Sequence, residues 1–237
     1  IHVQSYWVTR PDGNQISPFS SWGATNELTL KPDITAIGGS VVSAYKSGSI
    51  AISSGTSMAS PAIAGISVLV RQYLKSTTNL SGRELAAAVD KLMMSSASPV
   101  TDADSGLPFS PRVQGAGLVD AGKAVSVGAY INIAGTDKSK FELGDDRART
   151  GCYTMTFDVV NITNETKVYN LSVSALTESA VCGRVNPDHT YEYLMEQFEY
   201  ELESNIDAPE TVTVAAGSSV SVTVTVTLSA RDIKYIE

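Results

Sequence analysis

Histidine is almost missing from this chain of 237 residues: there are two, His2 and His189. Cysteine is as scarce, with only Cys152 and Cys182. Two cysteines are too few for a disulfide framework; they pair if their strands are neighbours and are free thiols otherwise. No run of about 18 apolar residues occurs, so nothing in the sequence reads as a membrane-spanning helix. No signal-peptide pattern is visible, since Ile1 opens directly into strand-like sequence. Positive charge is not in excess either. The chain has 17 Lys and Arg against 25 Asp and Glu, a net charge of −8. That balance argues against nucleic acid as a partner. Calcium-loop spacing is also lacking: Asp145-Asp146 and the carboxylates from Glu192 to Glu203 read as a solvated acidic face.

What is present describes a globular protein. Hydrophobic residues make up 43% and charged residues 18%, and the length fits one large domain or two smaller ones. The charge is unevenly placed. Residues 1–128 carry nine basic and eight acidic residues, residues 129–237 eight and seventeen. The hydrophobic period changes at the same place. Before it, apolar residues recur at helical spacing. After it, Tyr153, Met155, Phe157 and Val159 alternate with Thr154, Thr156 and Asp158, and Val220 to Leu228 alternates with Ser and Thr. Two domains are therefore expected, 1–128 with strands and helices and 129–237 as an antiparallel sandwich.

In the first part, residues 1–9, 17–23, 34–37 and 41–45 read as short strands, and residues 50–53 lead into the serine turn. A helix is expected over 57–75, with Ile63, Ile66, Leu69, Val70, Tyr73 and Leu74 on one broad face. Pro61 suits its first turn. Ser81-Gly82-Arg83-Glu84 has the capping-box pattern, so a second helix should run from 82 to 95. Residues 96–113 read as a surface loop, and Asp120 can cap a last short helix over 121–127. In the second part, Leu171, Val173 and Ala175 read as a further strand, whereas Tyr191, Leu194 and Phe198 have helical spacing and read as packing residues.

The chemistry-bearing stretch is Ser53-Ser54-Gly55-Thr56-Ser57-Met58-Ala59-Ser60-Pro61, followed at once by the apolar run to Leu74. Gly55 permits a sharp entry to the helix. Ser57 then sits at the helix N-terminus, where unpaired N–H groups and the positive end of the dipole favour negative charge. A Ser or Thr there is ordinarily a cap. It is also a good place for a nucleophile, because the oxyanion formed on attack lies near the same N–H groups.

The nonapeptide, with Ala64-Gly65 behind it, resembles the nucleophile segment of subtilisin-like serine proteases (subtilases). Ser17-Pro18-Phe19-Ser20-Ser21-Trp22-Gly23 and Leu30-Lys31-Pro32-Asp33-Ile34-Thr35-Ala36 resemble the family's segments before that serine. Gln114-Gly115-Ala116-Gly117-Leu118-Val119-Asp120 resembles the close of its catalytic domain. The likeness is strongest to the large cell-envelope subtilases, the lactocepins and complement-cleaving surface peptidases. It implies an α/β subtilase portion followed by a fibronectin-III-like sandwich, a secreted or cell-surface location, and protein or peptide substrates. It assigns Ser57 as catalytic, with Thr56 and Met58 flanking it and Ser53 on the leaving-group side. Ile37, Ala24 and Ala62 depart from the family pattern without touching that role.

The subtilase triad runs Asp, His, Ser along the chain. Here only His2 precedes Ser57, without the family's surrounding glycine and small residues, and it reads as structural. His189, in Asn186-Pro187-Asp188-His189, reads as a solvent-facing turn residue. Asp104-Ser105-Gly106 mimics the family's aspartate motif, but it follows the serine and reads as a loop turn. The expectation is a fragment whose Asp, His and oxyanion Asn belong to a missing N-terminal part of the catalytic domain, and which is inactive alone. The resemblance implies no organic cofactor and leaves room for structural calcium in the parent protein. Two other readings compete. One is a non-catalytic surface adhesion or binding module derived from a subtilase. The other is an α/β-hydrolase esterase, disfavoured because Ala59 replaces the second glycine of Gly-x-Ser-x-Gly.

Overall fold

The computed structural model describes residue 13 and residues 15–144, 146–181, 184–185, 191–192 and 196–235. The expected strand over 1–9, His2, Cys182, His189 and Leu194 lie outside the described residues. The first part holds a hairpin, β1 (Val41–Ala44) and β2 (Ile50–Ser53), then α1 (Thr56–Thr77), α2 (Gly82–Ser96), α3 (Pro111–Gln114) and α4 (Ala121–Ser126). The second part opens with β3 (Ala129–Asn132), β4 (Cys152–Asn161), β5 (Lys167–Asn170) and β6 (Leu176–Val181). It continues through β7 (Arg184–Val185), β8 (Tyr191–Glu192), β9 (Glu196–Glu201), β10 (Asn205–Asp207), β11 (Thr211–Val214) and β12 (Ser219–Thr227), and ends in α5 (Ala230–Tyr235).

Helix α1 forms because its apolar residues repeat at helical spacing and because α2 and α4 cover one side of it. Val70 and Leu74 are fully buried, with Ile63, Ile66 and Tyr73 packed partly around them. Leu85, Ala88, Val89, Leu92 and Met93 of α2 and Ala124 of α4 complete this core. Burying one such leucine is worth about 1.5–3 kcal/mol. Leu69 departs from the expected face and is exposed. At 100° per residue it lies about 40° beyond Tyr73, past the arc that the neighbouring helices reach.

Two helix starts differ from expectation. Helix α1 begins at Thr56 with Gly55 as its cap residue, so Pro61 falls in the second turn rather than the first. There it withholds an N–H from the carbonyl of Ser57, four residues back, and its ring crowds that group. Helix α2 begins where expected, but the Ser81 hydroxyl makes no capping bond. Gly82, the first helical residue, has φ +53°, which turns the chain away from capping-box geometry. Asp120 does cap α4, accepting from the Lys123 amide at 2.9 Å.

Segments expected as strands around residue 20 and residue 35 are irregular. Residues 17–23 form a turn, with Ser20 N–H donating to Ser17 O and Gly23 N–H to Arg112 O. Phe19 and Trp22 are exposed and Gly23 is buried. Thr35 makes a single parallel bridge with Leu118. Residues 96–113 are not simply surface loop. Ser98 pairs with Leu118, and the buried Gln114 side chain holds Val100 and Phe109 by their backbones.

In the second part, β10, β12, β4 and β3 form one sheet in that order. The β11–β5 pair faces it across Val212, Val214, Val222, Val224 and Val226, with Met155, Phe157 and Val159 of β4. Alternation along β4 and β12 produced this face, as the sequence pattern implied. The strand expected over 171–175 does not form; those residues run irregularly, although Leu171, Val173 and Ala175 still pack on the core. The residues around 191–200 are strands, not a helix: Tyr191 pairs with Val185 in β7–β8, and Phe198 with Ser179 in β6–β9. Strand β3 belongs to both parts. It pairs with β4, while Tyr130 packs on the helical core and Lys91 Nζ donates to Asn132 Oδ1 at 2.7 Å. Cys152 is exposed. Among the described residues no helix is long and apolar enough to cross a membrane.

Candidate active site

Three backbone segments build the turn that carries Ser57. Residues 36–40 run beside residues 53–55, and α1 leaves from the far side of that contact. Gly55 N–H donates to Gly38 O at 2.9 Å. The Ser40 amide donates to the Ser54 hydroxyl at 2.8 Å. The Met58 amide closes the turn onto Gly55 O at 3.0 Å. Two glycines are required here. A Cβ on Gly38 would come within 2.8 Å of Gly55 O, and Gly55 itself has φ +153°, where side chains are strained.

Ser57 is therefore the second residue of α1, and it is exposed. Gly55 has no side chain to occupy the first-turn amides, and α1 has no side-chain cap. The Met58 amide is taken by Gly55 O, which leaves the Thr56 and Ser57 amides without an intrahelical acceptor, with the dipole of a helix of 22 residues behind them. A cleft of about 560 Å³ lies against the same turn. Phe19, residues 35–40, Thr56 and Ala59, residues 98–101 and Leu118 line it. Thr56 and Ala59, three apart on one helix face, line the cleft, and Ser57, rotated by about 100° from Thr56, is not among its lining residues. Ser53 is exposed on β2 and is not part of that lining.

A hydroxyl presented with unpaired amides beside a cleft suits acyl transfer, once a base takes its proton. Neither histidine lies among the described residues. Asp104-Ser105-Gly106 is an exposed turn, as expected. The Asp102 carboxylate accepts from the Ser105 amide at 2.9 Å, and Gly106 has φ +71°. Among the described residues no three His, Cys, Asp or Glu side chains converge as a metal site. Asp146 instead accepts from Thr150, the Gly151 amide and Tyr153.

A second charged cluster went unread in the sequence. Asp33 is reached by Lys31 at 2.6 Å, Lys140 at 3.0 Å and Lys138 at 3.7 Å. Burial raises its pKa, but the Lys31 and Lys140 contacts and the Lys138 charge outweigh that and hold the carboxyl below its ordinary value of 3.8. Lys138 and Lys140 lie more than 100 positions from Asp33, so no local pattern announced them. The Gly38–Gly55 contact, 17 positions apart, and that of Gln114 with Val100, 14 apart, also lie beyond any local pattern.

Residues 7–117, which span the serine turn and the cleft, match the Subtilase family, and residues 141–236 match the Fn3-like domain. Residues 7–117 are a subtilase segment. Similar proteins agree with that. The chain is 40% identical to a C5a peptidase of Streptococcus pyogenes over 134 residues, which is 56% of this chain and 12% of that protein. It is 30% identical to a PI-type proteinase of Lactococcus lactis subsp. cremoris over 210 residues, 83% of this chain and 11% of the relative. The PII-type proteinase matches over the same extent. The chain thus spans about an eighth or less of the length of these curated relatives. In the subtilase segment the serine turn, the helix behind it and the irregular stretches at 17–23 and 35–40 are one assembly, and the Fn3-like domain supplies the sandwich.

Proposed function

We propose that this chain is part of a secreted or cell-surface serine endopeptidase of the subtilase family, with Ser57 as its nucleophile. Residues 1–128 form the C-terminal portion of the peptidase domain, and residues 129–237 the sandwich that follows it. The observation that carries the reading is the exposed Ser57 in the first turn of α1, next in the chain to Thr56 of the cleft lining.

In this reading Ser57 Oγ attacks the scissile carbonyl of a protein substrate as a base removes its proton. The negative charge that develops on the carbonyl oxygen is met by the Ser57 N–H and the positive end of α1. Collapse expels the amine, and water then releases the acyl group. The base, its carboxylate partner and a side-chain oxyanion donor belong to a portion of the peptidase domain that precedes this chain. An uncovered apolar face supports that. Val42, Ile50 and Ile52 of the β1–β2 hairpin and Val68 and Leu69 of α1 are between 54% and 76% exposed. Val42 lies opposite Ile52 and Ala44 opposite Ile50, so one face of the hairpin is an apolar ladder. Isolated apolar residues on a surface are ordinary; an exposed ladder on the hairpin that leads into the serine turn reads as a contact surface.

The test is peptide hydrolysis by the parent protein, by this chain alone, and by this chain combined with the preceding segment. The parent and the combination should be active and the chain alone inert. Ser57→Ala should lower parent turnover by about 10⁶-fold, a magnitude taken from subtilisin itself. An active Ser57→Ala parent would leave the chain as a non-catalytic binding module.

A further inference from the structure

The link between the subtilase segment and the sandwich is fastened by a chain of ion pairs, three of which meet at Asp33. After β3 the chain runs back across the helical part through residues 133–142 before entering the sandwich. Lys138 Nζ lies 2.6 Å from Asp90 of α2 and 3.7 Å from Asp33. Lys140 Nζ lies 3.0 Å from Asp33 and 3.0 Å from Glu142, and also donates to Leu30 O. Arg83 of α2 holds Asp137 at 2.9 Å. Three cations and four carboxylates thus alternate along the strap, with Lys31 on Asp33 from the other side. Asp33 is the member that touches Lys31, Lys138 and Lys140 together, and the Lys140 side chain is only 13% exposed. Pairs so enclosed are screened less than those on an open surface.

Asp33 also begins the cleft wall. Its carbonyl accepts from the Ala116 amide at 3.0 Å, and Thr35 N–H and O bond Gly117 and Val119. Residues 35–40 follow at once along the cleft. Gly115 packs so closely on Asp33 that a Cβ there would meet its backbone at 2.4 Å, so residue 33 cannot shift without moving its neighbours. We propose that Asp33 is a positioning residue that couples the strap, and with it the sandwich, to the wall of the cleft. Pulling the strap away removes Lys138 and Lys140 from Asp33 and loosens residues 35–40. A second tether, Arg112 on Glu178 of β6 at 2.5 Å, keeps the sandwich nearby but touches α3 rather than the wall.

Lys138 and Lys140 are themselves trypsin sites, and Arg147 and Arg149 in the exposed turn beyond serve as internal references. Trypsin cleavage and amide hydrogen exchange are measured on the chain of 237 residues and on its Asp33→Asn, Lys140→Met and Lys140→Arg variants. Asp33→Asn should raise cleavage at Lys138 and Lys140 about tenfold relative to Arg147 and Arg149. Lys140→Met, a change in the strap alone, should raise it at Lys138 and also speed exchange at Thr35 to Gly39. Lys140→Arg should restore both. Lys140→Met is informative even if Asp33→Asn does not fold. An unchanged ratio, a rise spread evenly over all sites, or a freed strap with unchanged exchange at Thr35 to Gly39 overturns the coupling.

Discussion

Single atoms decide how Ser57 is presented. The serine turn has no side-chain cap, so its shape rests on Gly38, Gly55 and the Ser40–Ser54 bond. Gly38 is the most restrictive, because a methyl group there would sit 2.8 Å from Gly55 O and 3.4 Å from the Ala59 Cβ. Both neighbours belong to the turn. Gly38→Ala should therefore destabilise the chain by about 1–3 kcal/mol, the usual range for overpacking, measured by urea unfolding. Gly48→Ala is the comparison. Gly48 has positive φ but open space around it, so its cost is conformational only, about 1 kcal/mol. The subtilase-like turn was legible because its whole nonapeptide is local. Gly38 was not, since its partner is 17 positions away and only the folded chain shows the contact.

Among the elements, period found α1, β4 and β12, and capping signals at Ser81 and Asp120 marked α2 and α4. It failed where tertiary pairing decides. Residues 17–23 and 171–175 have strand-like composition but no ladder partner. Tyr191, Leu194 and Phe198 have helical spacing, yet Tyr191 and Phe198 lie in strands paired with β7 and β6. It also misjudged Leu69, which fits the helical stripe but lies past what α2 and α4 cover. That difference is measurable. Leu74→Ala, at a site with 0% exposure, should cost about 2–5 kcal/mol. Leu69→Ala should change stability by no more than about 0.5 kcal/mol in this chain. In the parent protein its cost should rise if the apolar face is covered there. Equal losses for the two leucines in the isolated chain would contradict the packing described for α1.

At the scale of the whole molecule, the change of period near residue 128 was visible, but the joint was not. Strand β3 serves both parts, and the strap is held by ion pairs to residues 48 to 107 positions back in the chain. These pairs make stability depend on pH. The Asp33 pKa is held below its ordinary value of 3.8, so its contribution is present above that value and lost as pH falls through the lower folded value. Burial lowers the pKa of Lys140, but its hydrogen bonds and charge contacts with Asp33 and Glu142 outweigh this and raise it above 10.5. Its contribution is therefore present below 10.5 and lost above the raised folded value. The difference in unfolding midpoint between the chain and its Asp33→Asn variant should be steady from pH 5 to 8 and shrink below about pH 4. A difference that grows on acidification would contradict that sign.

The central claim is that the Ser57 hydroxyl is a nucleophile completed by groups from the preceding portion of the peptidase domain. Treating the parent protein with a fluorophosphonate probe and mapping the adduct tests this most directly. The account predicts one adduct, on Ser57, absent from Ser57→Ala and absent when this chain is treated alone. An unlabelled Ser57 in an active parent, or an adduct on another serine, would contradict it.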